Sequence, residues 1–204
     1  MSVPHFLNAI GLTPARQLQT LVENRRIFNL KHCELNIFES YEASYRVPLT
    51  FNDFVITSMV AGKKVMHILD QPAFEYVPGE TVIMPPNETM VIDFPEARKE
   101  TPTQCIALTI SNSYILNTMD YVQEYYNTAK DEPTNWQLKF DQYHLNNDAS
   151  LADTINSLMT ICSGNDIAKS IYADLKLKEL MVRLLQRVSA SRPRATARSS
   201  LAPS

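Results

Sequence analysis

The sequence predicts an α+β fold, in which a sandwich or barrel of short strands follows a leading helix and precedes an antiparallel helical hairpin. Three observations carry this. From Cys33 to Ile110 the chain consists of β-branched and aromatic runs broken by turn residues. A capped helical pattern stands before them, and two stripes of helical period lie between Leu151 and Leu185. With 204 residues, 45% of them hydrophobic, there is enough apolar side chain for one medium domain with a real core.

The elements follow in chain order. In TPARQLQTLVENRRIF, Thr13 is a cap, Pro14 suits the first helical position, and Leu18, Leu21, Val22 and Ile27 fall near helical spacing. This predicts a short helix within an N-terminal arm spanning 1–30. The segments CELNIFESY, FVITSMV, KKVMHIL, AFEYV, ETVIM, TMVIDF and QCIALTI read as strands of a β body over 31–112. After Ser111 the helical period returns: NSYILNTMDYVQEYYNTAK reads as a helix, DEPTNW as a turn, and QLKFDQYHL as one further strand.

A helical region over 113–186 ends in the hairpin. Leu151, Ile155, Leu158, Met159 and Cys162 share one helix face, SGN breaks the chain, and Ile167, Ile171, Leu175, Leu180, Met181, Leu184 and Leu185 give a longer amphipathic helix. Such a hairpin must bury its apolar stripes on the β body or on a partner chain. Beyond Gln186 the segment RVSASRPRATARSSLAPS has almost no large apolar residue, so 187–204 is expected to be a disordered tail.

Charge and cysteine usage exclude several function classes. The net charge is −3, but Arg187, Arg192, Arg194 and Arg198 belong to the tail, and removing those four positive charges leaves −7 on residues 1–186. An acidic body is a poor electrostatic partner for phosphate backbones. Cys33, Cys105 and Cys162 are odd in number, far apart and without a CxxC, which argues for buried free thiols. No apolar run approaches the length that crosses a bilayer and no signal-peptide pattern opens the chain. No membrane contact is expected, and the expected compartment is the cytoplasm.

The stretch YVPGETVIMPPNETM concentrates turn residues in a glycine-poor chain. Pro78 and Gly79 turn between two strands, and Pro85, Pro86 and Asn87 turn out of the next, with Asn87 taking a left-handed conformation in a glycine's place. The spacing of Gly79, Pro85, Asn87 and Met90 resembles the second motif of the cupin jelly rolls, G-x5-P-x-G-x2-H. Where a metal-binding cupin places its histidine this chain has Met90, and near Gly62 only His67 stands. One imidazole and a thioether do not make a set of three or four ligands, so no metal and no cofactor is expected. His67 reads as a satisfied histidine, and Lys63 and Lys64, following Gly62, as a solvated turn.

The longer stretch MVAGKKVMHILDQPAFEYVPGETVIMPPNETMVIDFPEARKE, with SLADTINSLMTICSGNDIAKSIYADLKLKELMVRLLQ, is similar to the N-terminal sensory domain of AraC-type transcription regulators. The resemblance covers 34–186 and implies a cupin-like jelly-roll barrel followed by a helical dimerisation region. It implies a regulatory domain that binds a small organic effector and forms a homodimer. DNA would be read only through helix-turn-helix units that this chain, changing composition at Arg187, lacks. By alignment within that family the candidate ligand-binding residues are Arg46, Ile92, Thr103 and Cys105, joined by Met84 and Met90 as soft apolar lining. A mostly apolar effector is implied, a carboxylate on Arg46 being one way to orient it. For the dimer, Leu177, Leu180, Met181 and Leu184 are the candidate contacts, with Leu177 and Leu184 as exposed members. The alternatives are a small metal-free cupin enzyme of isomerase type and a purely structural dimerisation domain with a filled barrel.

Overall fold

Period-two burial builds the β body, and the computed structural model describes it within residues 3–68, 71–129 and 143–188. The strands are β1 (Asn24–Asn29), β2 (Cys33–Ser40), β3 (Ser44–Thr50), β4 (Phe54–Ala61), β5 (Lys64–Ile68), β6 (Phe74–Tyr76), β7 (Glu80–Met84), β8 (Thr89–Phe94), β9 (Thr103–Ile110) and β10 (His144–Asn146). Helices α1 (Asn112–Ala129), α2 (Ala149–Ser163) and α3 (Lys169–Val188) follow the barrel. The pairing is nested: β5 with β6, β4 with β7, β3 with β8 and β2 with β9, all antiparallel. One long hairpin is thereby wound into two facing sheets, which is the jelly roll. The sheet orders are β1-β2-β9-β4-β7-β10 and β3-β8-β5-β6.

The six-stranded sheet is a wall between two cores. Along β9, Cys105 and Ala107 point between the sheets, while Ile106, Leu108 and Ile110 point to the helices. A strand buried on both faces reads as a continuous apolar run, which is why QCIALTI shows no polar alternation. The helix-side core gathers Leu35, Ile37, Ile56 and Ile83 from the sheet with Leu151, Ile155 and Leu158 from α2 and Leu177, Leu180, Met181 and Leu184 from α3. Asp148 caps α2 by accepting the Leu151 N–H at 2.8 Å, and Gly164 closes it.

Turn chemistry is as the sequence implies. Gly62, Gly79 and Asn87 have φ of 74°, 93° and 64°, and the Asn87 N–H reaches the Phe51 carbonyl at 2.8 Å. At Gly62 a Cβ would stand 2.8 Å from Thr103 Cγ2, so both conformation and space demand glycine there.

Two expectations are corrected. The leading helix is a single 3-10 turn, Ala15–Gln17, and Asn24–Asn29 is an edge strand paired with β2. Tertiary bonds override the local helical pattern: the Thr13 N–H is taken by the Glu39 carboxylate, and Arg25 and Arg26 reach Asn36 and Glu39 on β2. SYRVPLT, which the sequence reading did not assign, is a strand although it contains Pro48; it forms the edge of the smaller sheet, the place where a missing N–H does no harm. Second, α3 continues to Val188 rather than ending at Gln186. The further strand expected from QLKFDQYHL is present where the segment is described, His144–Asn146 pairing as β10 with β7; its residues 137–142, like the DEPTNW turn, lie outside the described residues. Residues 189–204 of the expected tail also lie outside them.

Candidate functional site

Strand phase decides which side chains the barrel holds. On β5 the burial alternates from Lys64 through Met66 to Ile68, while Val65 and His67 turn away from the core. Lys64 is therefore not a solvated turn residue: its side chain is 3% exposed, inside the barrel. Its Nζ donates to Cys105 Sγ at 3.0 Å, lies 4.8 Å from the centre of the Phe94 ring, and stands 3.6 Å from Glu23 Oε1. Burial alone would push the Lys64 ammonium down, but its electronegative neighbours outweigh this and hold it raised. Burial also raises Cys105 against the opposing pull of Lys64, so the thiol stays protonated.

Of the residues proposed from the alignment, Met84, Met90, Ile92, Thr103 and Cys105 are all buried in the β body. Met90, Ile92 and Cys105 come together with Lys64, Tyr76 and Thr57 around a residual void of about 10 Å³. Met84 packs in the same inter-sheet core without lining that void, and Thr103 lies under Gly62 with its Oγ1 lacking a hydrogen-bond partner. The Tyr76 hydroxyl meets Thr57 Oγ1 at 3.1 Å, and burial raises its pKa well above the ordinary value. Arg46 is corrected: it is exposed, at φ 57° in the β3 bulge, and only its backbone N–H is used, donating to Asp93 Oδ1 at 2.7 Å. It cannot orient a ligand in the barrel.

His67 behaves as a satisfied, half-buried residue. Its Nε2 meets Asp93 Oδ2 at 2.9 Å, and this hydrogen bond, with that from the Arg46 backbone, holds the Asp93 carboxyl below its ordinary range. Cys33, Cys105 and Cys162 are buried and free. Among the described residues no group of three or more His, Cys, Asp and Glu is placed to hold a metal ion, and no helix is long and apolar enough to cross a membrane.

The expected dimer contacts are corrected as well. Leu177, Leu180, Met181 and Leu184 are at most 1% exposed, covered by the chain's own sheet and α2, so neither Leu177 nor Leu184 is free to meet a partner. The outward stripe of α3 is instead Ile171 and Leu175, 65% and 60% exposed, with Lys178 and Val182 continuing it at i+7 and i+11 from Ile171.

Sequence reasoning missed Lys64 and Glu23. Counting back by two from Ile68 and Met66 would have placed Lys64 inward. No comparable signal marks Glu23. It sits at φ 55° just before β1, and its meeting with Lys64 depends on the closed barrel.

Residues 32–192 match the family model of the AraC-type transcriptional regulator N-terminus. Among solved structures, ToxT from Vibrio cholerae aligns with a TM-score of 0.54 at 12% identity, over 78% of this chain and 57% of that one. An apo ToxT variant from the same species aligns with a TM-score of 0.56 at 10% identity, over 79% and 59%. The chain thus spans less than two thirds of ToxT, and at such identity the likeness shows the fold. A double-stranded β-helix cupin protein from Methanocaldococcus jannaschii aligns over 50% of this chain and 93% of its own, with a TM-score of 0.37 and 16% identity. No curated protein matches the sequence.

Proposed function

The chain belongs to the AraC-type transcriptional regulator N-terminus family, and from that membership we propose that it senses a small, mostly apolar organic acid inside the barrel and self-associates through α3. The supporting observation is Lys64. A buried ammonium among methionine, isoleucine and aromatic side chains is a strong polar anchor in a mostly soft lining, and it suits a carboxylate carried on an apolar body. Lys64 thus takes the orienting role that the alignment gave to Arg46.

Binding rather than catalysis fits the chemistry of the interior. Cys105 is kept as a thiol by burial, Lys64 as an ammonium, and the His67 imidazole is held outside the barrel by Asp93. Neither interior group, the Cys105 thiol nor the Lys64 ammonium, is a free nucleophile or base at neutral pH. DNA readout would fall to a separate domain, since residues 1–186 carry −7.

A thermal-shift screen of aliphatic and aromatic acids beside their methyl esters and a sugar panel tests the reading. A fitting acid at a hundredfold excess over its dissociation constant should add about 2.7 kcal/mol to stability. Its ester should do little, and Lys64→Met should abolish the response. Equal shifts from acid and ester would overturn the carboxylate contact with Lys64, and no shift from any compound would count for the purely structural domain.

For self-association, the α3 stripe offers Ile171 and Leu175 in register for a partner helix. Wild-type protein at tens of micromolar is expected to sediment as a dimer, and Ile171→Asp with Leu175→Asp as a folded monomer. A wild-type monomer under those conditions would end this part of the proposal.

A further inference from the structure

The void beside Lys64, about 10 Å³, admits no organic molecule, so a ligand can reach the ammonium only if some part of the wall withdraws. The segment before β1 is built to do so. Val22 packs half-buried against the inter-sheet core, and Glu23 behind it supplies the carboxylate that stands 3.6 Å from Lys64 Nζ. We propose that Val22 and Glu23 are a removable plug in the barrel wall, and that a carboxylate ligand opens it by replacing the Glu23 carboxylate on the Lys64 ammonium. This rests on the reading of the barrel as an effector site.

Three features make Glu23 a replaceable occupant. Both of its carboxylate oxygens are shut off from solvent, yet neither accepts a hydrogen bond. An ion pair held at that distance leaves acceptor capacity unused, whereas a ligand free to orient could close to hydrogen-bonding distance. Next, Glu23 carries a left-handed backbone at φ 55° without being glycine, so its closed position is strained and withdrawal relieves it. Finally, the ties of the segment are few. The Glu23 N–H donates to Ser40 Oγ at 3.3 Å, the Leu21 carbonyl accepts from the Tyr41 N–H at 2.7 Å, and Thr20 with Val22 forms only a local turn. Opposite, Lys64 has no other carboxylate within ion-pairing distance among the described residues. The Glu23 carboxylate and the Lys64 ammonium are thus each other's ion-pair partner among the described residues.

Cys105 lines the void and is 4% exposed, so its reaction with a small thiol reagent reports opening, while Cys33 and Cys162 in the helix-side core serve as internal controls. The test compares wild type with Glu23→Gln, which keeps the shape and removes the charge, and with Glu23→Ala should the glutamine variant fold poorly. Mass spectrometry follows each cysteine, and hexanoate and hexanol are titrated by calorimetry. Removing the internal competitor should raise the Cys105 labelling rate and lower the hexanoate dissociation constant, each by about tenfold or more, leaving hexanol and the control cysteines unchanged. Hexanoate binding equally to both proteins, or an unchanged Cys105 rate, would overturn the plug while the effector reading stands. Hexanoate binding to neither, with Cys105 unmasked in Glu23→Gln, would instead overturn the carboxylate displacement together with the effector reading, the plug surviving only as a structural closure.

Discussion

Glu39→Ala is expected to cost the fold about 3–5 kcal/mol, read as a lower urea midpoint at unchanged slope. Glu39 is fully buried on β2 and accepts from the Thr13 N–H, the Tyr41 hydroxyl at 2.8 Å, Gln104 Nε2 at 3.1 Å and the Arg26 guanidinium at 3.0 Å. Alanine strands all four donors at once. The N-terminal arm loses its tie to the sheet at the same stroke, so protease cleavage within 8–20 should accelerate in the variant. A loss below about 1 kcal/mol would show that water replaces the carboxylate.

The same group fixes a pH dependence. Burial would raise the Glu39 pKa, but the hydrogen bonds from Thr13, Tyr41 and Gln104 outweigh it and lower it below the ordinary 4.5. A carboxylate depressed by folding contributes its stability in full above the unfolded value, and loses it as the pH falls through the folded one. The stability gap between wild type and Glu39→Gln should therefore be constant at neutral pH and narrow below about pH 4.5. Asp93, Asp148 and Glu179 are also depressed, Glu179 to about 2 by Lys176 and Arg183. They act on both proteins alike and drop out of the difference.

Leu180→Ala is expected to cost about 2–5 kcal/mol, the range for emptying a packed core position. Leu180 is completely buried between α3 and the wall, where it meets Leu35, Ile56 and Ile106 across a void of about 10 Å³. Little room exists for collapse into the new cavity. Leu175→Ala, on the outward stripe, should stay within about 0.5 kcal/mol of wild type in a monomeric background. Urea titration of the two variants separates core from outward face, and similar losses at both would mean that α3 is docked differently.

Much of this was legible in the sequence because it is local. Seven strands, the left-handed Asn87, the α2 face and the break at Gly164 follow from period and turn chemistry. What escaped depends on partners distant in the chain. Asn24–Asn29 is a strand because β2 offers it an edge and its arginines a set of acceptors, which outweighs a tolerable helix pattern. β3 carries Pro48, which its edge position tolerates, and a bulge at Arg46 that interrupts the alternation of period two. On α3, Ile171, Leu175, Leu177, Leu180, Met181 and Leu184 cover much of the circumference, so periodicity alone does not say which stripe the sheet takes. Lys64 was within reach of strand phase and was missed by reading it with Lys63 as a turn.

The shared wall also sets an order of events in folding. The face on which α2 and α3 dock is made of Leu35, Ile37, Ile56, Ile106 and Leu108, and these meet only when Cys33 has come to lie opposite Ile110. That closure spans most of the β body, and long-range antiparallel pairing is slow. The helical hairpin leaves the ribosome after the sheet it must cover, and until it does the nascent barrel turns a broad apolar wall to water. Chaperone dependence and aggregation during synthesis are thus expected to concentrate in that interval, and chains truncated before Leu151 to inherit it permanently.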